Sequence, residues 1–89
     1  MALLEFYGEE CPHCRTMHVL VERLEKELGV KVEKHETWHN KENDALRAKH
    51  DGGFCGGVPF FINTESEQKI CGAVPYETLK NWAEGTKMK

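Results

Sequence analysis

The tightest constraint on this chain is an early change of hydrophobic period. Leu3-Leu4-Glu5-Phe6-Tyr7 is a short apolar and aromatic run with one charge inside it, which reads as a buried strand. After the turn Gly8-Glu9-Glu10, Met17, Leu20, Leu24 and Leu28 fall on one helical stripe, with Val21 beside them. Pro12 suits the first turn of that helix, where its missing N–H would be unpaired anyway, and Gly29 stops it. Val30 and Val32 then alternate with polar neighbours up to Glu36, a second strand. Strand, helix and strand in this order require two parallel strands joined by a right-handed crossover.

The rest of the chain adds an antiparallel half. Trp38-His39-Asn40 ends the second strand, and Asn40 can cap a helix running through Ala45, Leu46 and Ala48 to about His50. Asp51-Gly52-Gly53-Phe54-Cys55-Gly56-Gly57 is a loop with wide backbone freedom. Val58 to Ile62 reads as a third strand, with Pro59 near its start, where a missing donor is tolerable. Asn63 to Ser66 turns the chain and Gln68 to Cys71 returns as a fourth strand. Pro75 opens a last helix carrying Tyr76, Leu79 and Trp82, with Gly85 after it. The expected order is β-α-β-α-β-β-α, an α/β fold with a four-stranded mixed sheet flanked by helices. With 89 residues the chain is read as one domain, 1–89.

Composition excludes several function classes. A formal net charge of -3 argues against nucleic acid, because phosphate binding needs clustered Lys and Arg. The dense run Glu22-Arg23-Leu24-Glu25-Lys26-Glu27 mixes signs and reads as the wet face of a helix. There is no apolar run long enough for a membrane span. The start, Met1-Ala2-Leu3-Leu4 running into Glu5, lacks the basic and apolar regions of a signal peptide, so the expected location is cytoplasmic. Nothing in the sequence signals oligomerisation, and a monomer is expected.

The sequence holds four cysteines, Cys11, Cys14, Cys55 and Cys71. A chain with clear strands and helices does not need a disulfide framework, so reactive or metal-binding thiols are the readings to weigh. Cys11-Pro12-His13-Cys14 sits at a strand-to-helix junction. Thiol–disulfide exchange begins with a thiolate. A Cys11 just ahead of a helix faces unpaired N–H groups and the helix dipole, which favour the anion. Cys14, one turn on, can close a small disulfide with Cys11 and, as the more buried thiol, would resolve a mixed disulfide. An imidazole at His13 can stabilise the thiolate further, and a more stable reduced form makes the disulfide a better oxidant. A zinc ribbon wants a second such pair, which the chain lacks. Cys11, Cys14 and His13 as a soft Zn²⁺ or Cu⁺ site ranks below the redox reading. No metal and no cofactor is expected, since the chain's own sulfurs carry the electrons.

The element order, the Cys-x-x-Cys after the first strand and the Val-Pro opening the third resemble the thioredoxin-like superfamily. The resemblance spans essentially the whole chain. It rests on Glu5-Phe6-Tyr7-Gly8-Glu9-Glu10-Cys11-Pro12-His13-Cys14, then Gly57-Val58-Pro59-Phe60-Phe61, then Lys69-Ile70-Cys71-Gly72-Ala73. It implies a thiol–disulfide oxidoreductase that exchanges dithiol and disulfide with protein partners and takes electrons from a reductase or from glutathione. Pro59 resembles the cis-proline that faces the cysteine pair in this superfamily, which would leave the Val58 backbone for strand-like pairing with an extended substrate. Glu5 takes the place of the buried acid of thioredoxins, with Glu instead of Asp. It either accepts the proton of Cys14 or reaches solvent at the strand end. DsbA-type proteins carry the same Pro-His dipeptide, which implies a potential above roughly -270 mV, thioredoxin's value. Glutaredoxin-like proteins are the alternative. They usually carry further glycine near the end of the fourth strand to hold glutathione, where this chain has Gly72 alone, with Gly56-Gly57 as further candidates.

Strand directions bring Tyr7, Cys11, Trp38, Val58, Pro59, Cys71 and Gly72 to one sheet edge, where ligands of open α/β sheets gather. Trp38 is either an apolar platform for substrate or a core tryptophan. His18, one turn past Cys14, reads as a surface residue, and His39 as a solvated loop histidine. Cys55 and Cys71 read as a flexible-loop thiol and a small buried hydrophobe. The alternative is a second exchange pair or a resolving thiol.

Overall fold

The computed structural model describes residues 2–85; of the expected domain, positions 1 and 86–89 lie outside the described residues. The elements are β1 (Leu3–Tyr7), α1 (Pro12–Leu28), β2 (Val32–Glu36), α2 (Lys41–Asp51), β3 (Phe60–Asn63), β4 (Lys69–Cys71) and α3 (Tyr76–Glu84). They form one mixed sheet in the order β2-β1-β3-β4. β1 runs parallel to β2, with Glu5 beside Lys34, and antiparallel to β3, with Glu5 beside Phe61 and Phe6 beside Phe60. β4 closes the edge antiparallel to β3, with Cys71 beside Phe60.

β1 is buried on both faces, as a strand covered by helices on either side must be. Successive side chains of a strand point to opposite faces. Leu3 therefore joins Met17, Val21, Leu24, Phe61, Leu79 and Trp82 on the α1–α3 side. Leu4 and Phe6 join Phe60 and Ile62 on the other, with Leu46 packed against them. The same alternation sends Glu5 to the α1 side, beneath the helix that carries Cys11 and Cys14.

Local signals set the element ends. The Asn40 side chain accepts the Asn43 N–H to start α2, and Gly29, at φ 65°, ends α1. Three strands start later than the sequence predicts, β4 by a single residue, at Lys69. Gly29, Val30 and Lys31 are used in turning back from α1, so β2 begins at Val32, beside Leu3. β3 begins at Phe60 rather than Val58, because Pro59 has no N–H to offer a ladder.

Candidate active site

Cys11 is the N-cap of α1, with extended backbone angles (φ -79°, ψ 116°) and Pro12 following it in the first turn. Its Sγ accepts the N–H of Cys14 at 3.3 Å, so the sulfur occupies the place a capping oxygen usually takes. Its own N–H donates to the Gly8 carbonyl at 3.0 Å, which folds the Gly8–Glu10 turn onto the helix start. Cys11 and Cys14 are both buried free thiols, while Pro12 and His13 face solvent. Burial, reinforced by the contact with Cys11, pushes the Cys14 thiol up to about 12. The pair is therefore asymmetric. One sulfur receives a helix-end N–H, and the other is a neutral thiol that needs a base before it can attack.

Glu5, on the α1 side of the sheet, adds to that rise in the Cys14 value. Glu5 is 0% exposed, and neither of its carboxyl oxygens has an aligned hydrogen bond. Burial pushes its carboxyl up to about 8, against the pull of Lys34. His18 Nε2 stands 2.9 Å from Glu5 Oε2, and its side chain is 31% exposed, so the ring spans from the buried acid to solvent. Burial, helped by Lys34, lowers the His18 pKa, so the imidazole is neutral near pH 7. The Tyr7 ring packs edge-on against it at 4.8 Å. The sequence reading of His18 as a surface residue is thus corrected. β1 alternation points Glu5 at α1, where His18 sits one turn beyond Cys14.

The loops around the pair are laced together. The Glu36 carboxylate accepts the N–H groups of Glu9, Trp38 and His39 at 3.0, 3.1 and 2.8 Å. Burial opposes, but those three donors outweigh it and hold the Glu36 carboxyl below its ordinary value. His39, an exposed loop residue as expected, meets Glu10 at 2.8 Å. Trp38 is 52% exposed and lies over Gly8, where a Cβ would run into the indole. It is an exposed residue over the Gly8 turn and not a core residue. Tyr7 accepts the Thr37 N–H at 2.8 Å, which extends the β1–β2 pairing to this edge. On the other side, the Val58–Pro59 peptide is cis. Pro59 is buried next to Phe60, the partner of Phe6, and its carbonyl accepts the Gly72 N–H at 2.8 Å.

The four-stranded mixed sheet and its three helices have a solved counterpart. The glutaredoxin (grx-1) from Archaeoglobus fulgidus superposes with a TM-score of 0.64 over 92% of this chain and 86% of that chain, at 22% sequence identity. The fold is thioredoxin-like. Neither a family model nor a curated protein matches the sequence. Within this thioredoxin-like fold, Cys11, Cys14, Tyr7, Trp38, Pro59 and Gly72 belong to one edge of the sheet, and Glu5 lies below it.

Cys55 and Cys71 depart from the reading preferred for them. They form a disulfide, and Cys71 is exposed, so neither is a lone loop thiol or a buried hydrophobe. The physical reason lies in β4. It is a short edge strand whose burial alternates, with Ile70 inward and Cys71 outward. The glycine-rich loop between α2 and β3 carries Cys55 across to meet it. Asp51 sets that loop. It ends α2 and accepts the N–H groups of Cys55 and Gly56, each at 2.6 Å, while Arg47 Nη1 sits 3.0 Å from it.

Sequence reasoning missed His18, Glu36 and Asp51. For His18 a signal existed in the strand alternation. For Glu36 and Asp51 there was none, because their donors are backbone groups of loops. Among the described residues, no group of three or more Cys, His, Asp or Glu could hold a metal ion, and no helix is long and apolar enough to cross a membrane.

Proposed function

We propose that this chain is a thiol–disulfide oxidoreductase in which Cys11 attacks and Cys14 resolves. The observation that carries the reading is the Cys14 N–H aimed at the Cys11 sulfur at the mouth of α1, with a neutral Cys14 thiol beneath. In the reducing direction, the Cys11 thiolate attacks a partner disulfide. A Cys11–partner bond forms, and the other partner sulfur leaves as a thiolate. Glu5, once its own proton has left to solvent by way of His18, takes the Cys14 proton, Cys14 attacks Cys11 Sγ, and the second partner sulfur is released. The protein dithiol is oxidised to the Cys11–Cys14 disulfide and the partner disulfide is reduced to two thiols. The reverse sequence oxidises a partner. Pro12 and His13 tune the equilibrium. Val58, outside the β3 ladder, offers its backbone to an extended partner segment, with Trp38 and Tyr7 as the apolar flank and Pro59 and Gly72 as the opposite wall.

The test is the Cys14→Ser variant. A resolving thiol that is missing leaves partner proteins bound to Cys11 as mixed disulfides, which non-reducing gels and mass spectrometry detect and which reductant dissolves. Adducts of the Cys14→Ser variant that map to no peptide containing Cys11 would contradict the assignment. A second reading, glutathione-dependent reduction, is favoured by open space above Gly72. This residue holds φ 84°, and no atom lies within 4 Å of where its Cβ would be. Turnover with glutathione and glutathione reductase, set beside turnover with a thioredoxin reductase, separates the two donors.

A further inference from the structure

We propose that Cys55–Cys71 is a second thiol–disulfide exchange site, open to a small thiol in solution and independent of Cys11 and Cys14. Each half of the bond is positioned without the other. On one side, Cys55 and Gly56 donate their N–H groups to the Asp51 carboxylate at 2.6 Å, the Phe54 N–H donates to the Asp51 carbonyl at 3.1 Å, and Arg47 anchors that carboxylate at 3.0 Å. On the other side, Cys71 lies in the β-ladder beside Phe60, and the next residue, Gly72, donates to the Pro59 carbonyl at 2.8 Å. The two Cα atoms are 5.4 Å apart. Opening the bond therefore leaves two thiols held where they can close again, which is the geometry of a reversible pair and not of a staple the fold depends on.

Access is uneven and favours one sulfur. Cys71 is exposed at the end of an edge strand, whereas Cys55 is half-buried against Leu4, Phe6, Phe60 and Ile62. The neighbours of the bond on both sides are open. Nothing lies within 4 Å of a Cβ built on Gly56, Gly57 or Gly72. An incoming thiolate RS⁻ attacks Cys71 Sγ, the Cys71–Cys55 bond breaks, and Cys55 leaves as a thiolate and takes up a proton. A second RS⁻ attacks the RS sulfur of the mixed disulfide and frees Cys71. Two thiols become one RSSR, and the protein disulfide becomes two thiols. Excess RSSR runs the same steps backwards.

The experiment uses a Cys11→Ser/Cys14→Ser variant, so that failure of the first pair's assignment does not affect it. The folded protein is equilibrated in buffers of reduced glutathione and glutathione disulfide, quenched in acid, alkylated and peptide-mapped, with near-UV circular dichroism recorded alongside. The expected result is a reversible transition from mostly closed to mostly open over a roughly hundredfold change in [GSH]²/[GSSG], as a two-electron exchange requires, with an unchanged near-UV spectrum. A bond that stays closed in a thousandfold excess of reduced glutathione until denaturant is added would overturn the proposal. So would a bond that opens only when Cys11 and Cys14 are present. The same mapping on the unsubstituted chain, where Cys11 and Cys14 share one tryptic peptide and Cys55 and Cys71 fall on two others, gives the answer if the double variant does not fold.

Discussion

Glu5 and Asp51 are both buried carboxyl groups next to a cysteine site, at 0% and 2% exposure, yet their environments drive them apart. Glu5 sits among Tyr7, α1 and the core with no aligned donor, and burial raises it to about 8. Burial pushes Asp51 upward too, but the N–H groups of Gly56 and Cys55 and the Arg47 guanidinium outweigh it and hold the carboxyl below its ordinary 3.8. Depth alone does not decide the charge of a buried acid; the donors that face it do. The consequence is a division of labour. Glu5, on the α1 side of the sheet, gains and loses its proton near pH 8, and the group behind Cys55 is a fixed anion that holds a loop.

The contrast makes opposite predictions for pH. For Glu5 the folded value lies above the unfolded one, so its contribution is complete below pH 4.5 and is lost as pH rises through about 8. Urea unfolding across that window should show a decline, at most on the order of 5 kcal/mol. Glu5→Gln should flatten it, and an unchanged slope in that variant would break the comparison. Next in size, Glu5→Gln should slow the Cys14-dependent release of a mixed disulfide by about a hundredfold near pH 7. Capture of the partner by Cys11, followed by stopped-flow, should change by less than about twofold. Asp51→Asn should then cost roughly 1–3 kcal/mol at pH 7, since two N–H groups and an arginine lose an ionised acceptor. In the unsubstituted chain this contribution is present above the unfolded value of 3.8 and is lost as pH falls through the lower folded value. Stability curves of the two proteins should therefore converge in acid. Smallest, His18→Gln should slow the release step by less than about tenfold, because it lengthens the proton's way out of Glu5 and leaves the acid in place. A loss as large as that of Glu5→Gln would mean that His18 itself is the base.

What the sequence reveals follows the range of the interaction. The β-α-β-α-β-β-α order, the stripe of Met17, Val21 and Leu24, and the caps at Asn40 and Gly29 are written in neighbours a few residues apart, and the structure has them where the periodicity predicts. The cysteine pair at the mouth of α1 is legible for the same reason. The Cys55–Cys71 bond is not, because it depends on where a loop with three left-handed glycines, Gly52, Gly53 and Gly56, delivers its sulfur. Glu5 and His18 lie between these cases. Strand alternation and helix pitch, taken together, point them at one another, whereas each taken alone suggests a strand-end charge and a surface imidazole.

The central claim is a reversible bond between Cys11 and Cys14. Its most direct test is a titration of the folded protein against reduced glutathione and glutathione disulfide, with the Cys11–Cys14 peptide followed by mass spectrometry. The account predicts one reversible two-electron transition at a potential less negative than roughly -270 mV. Two thiols that stay reduced in excess glutathione disulfide would contradict it.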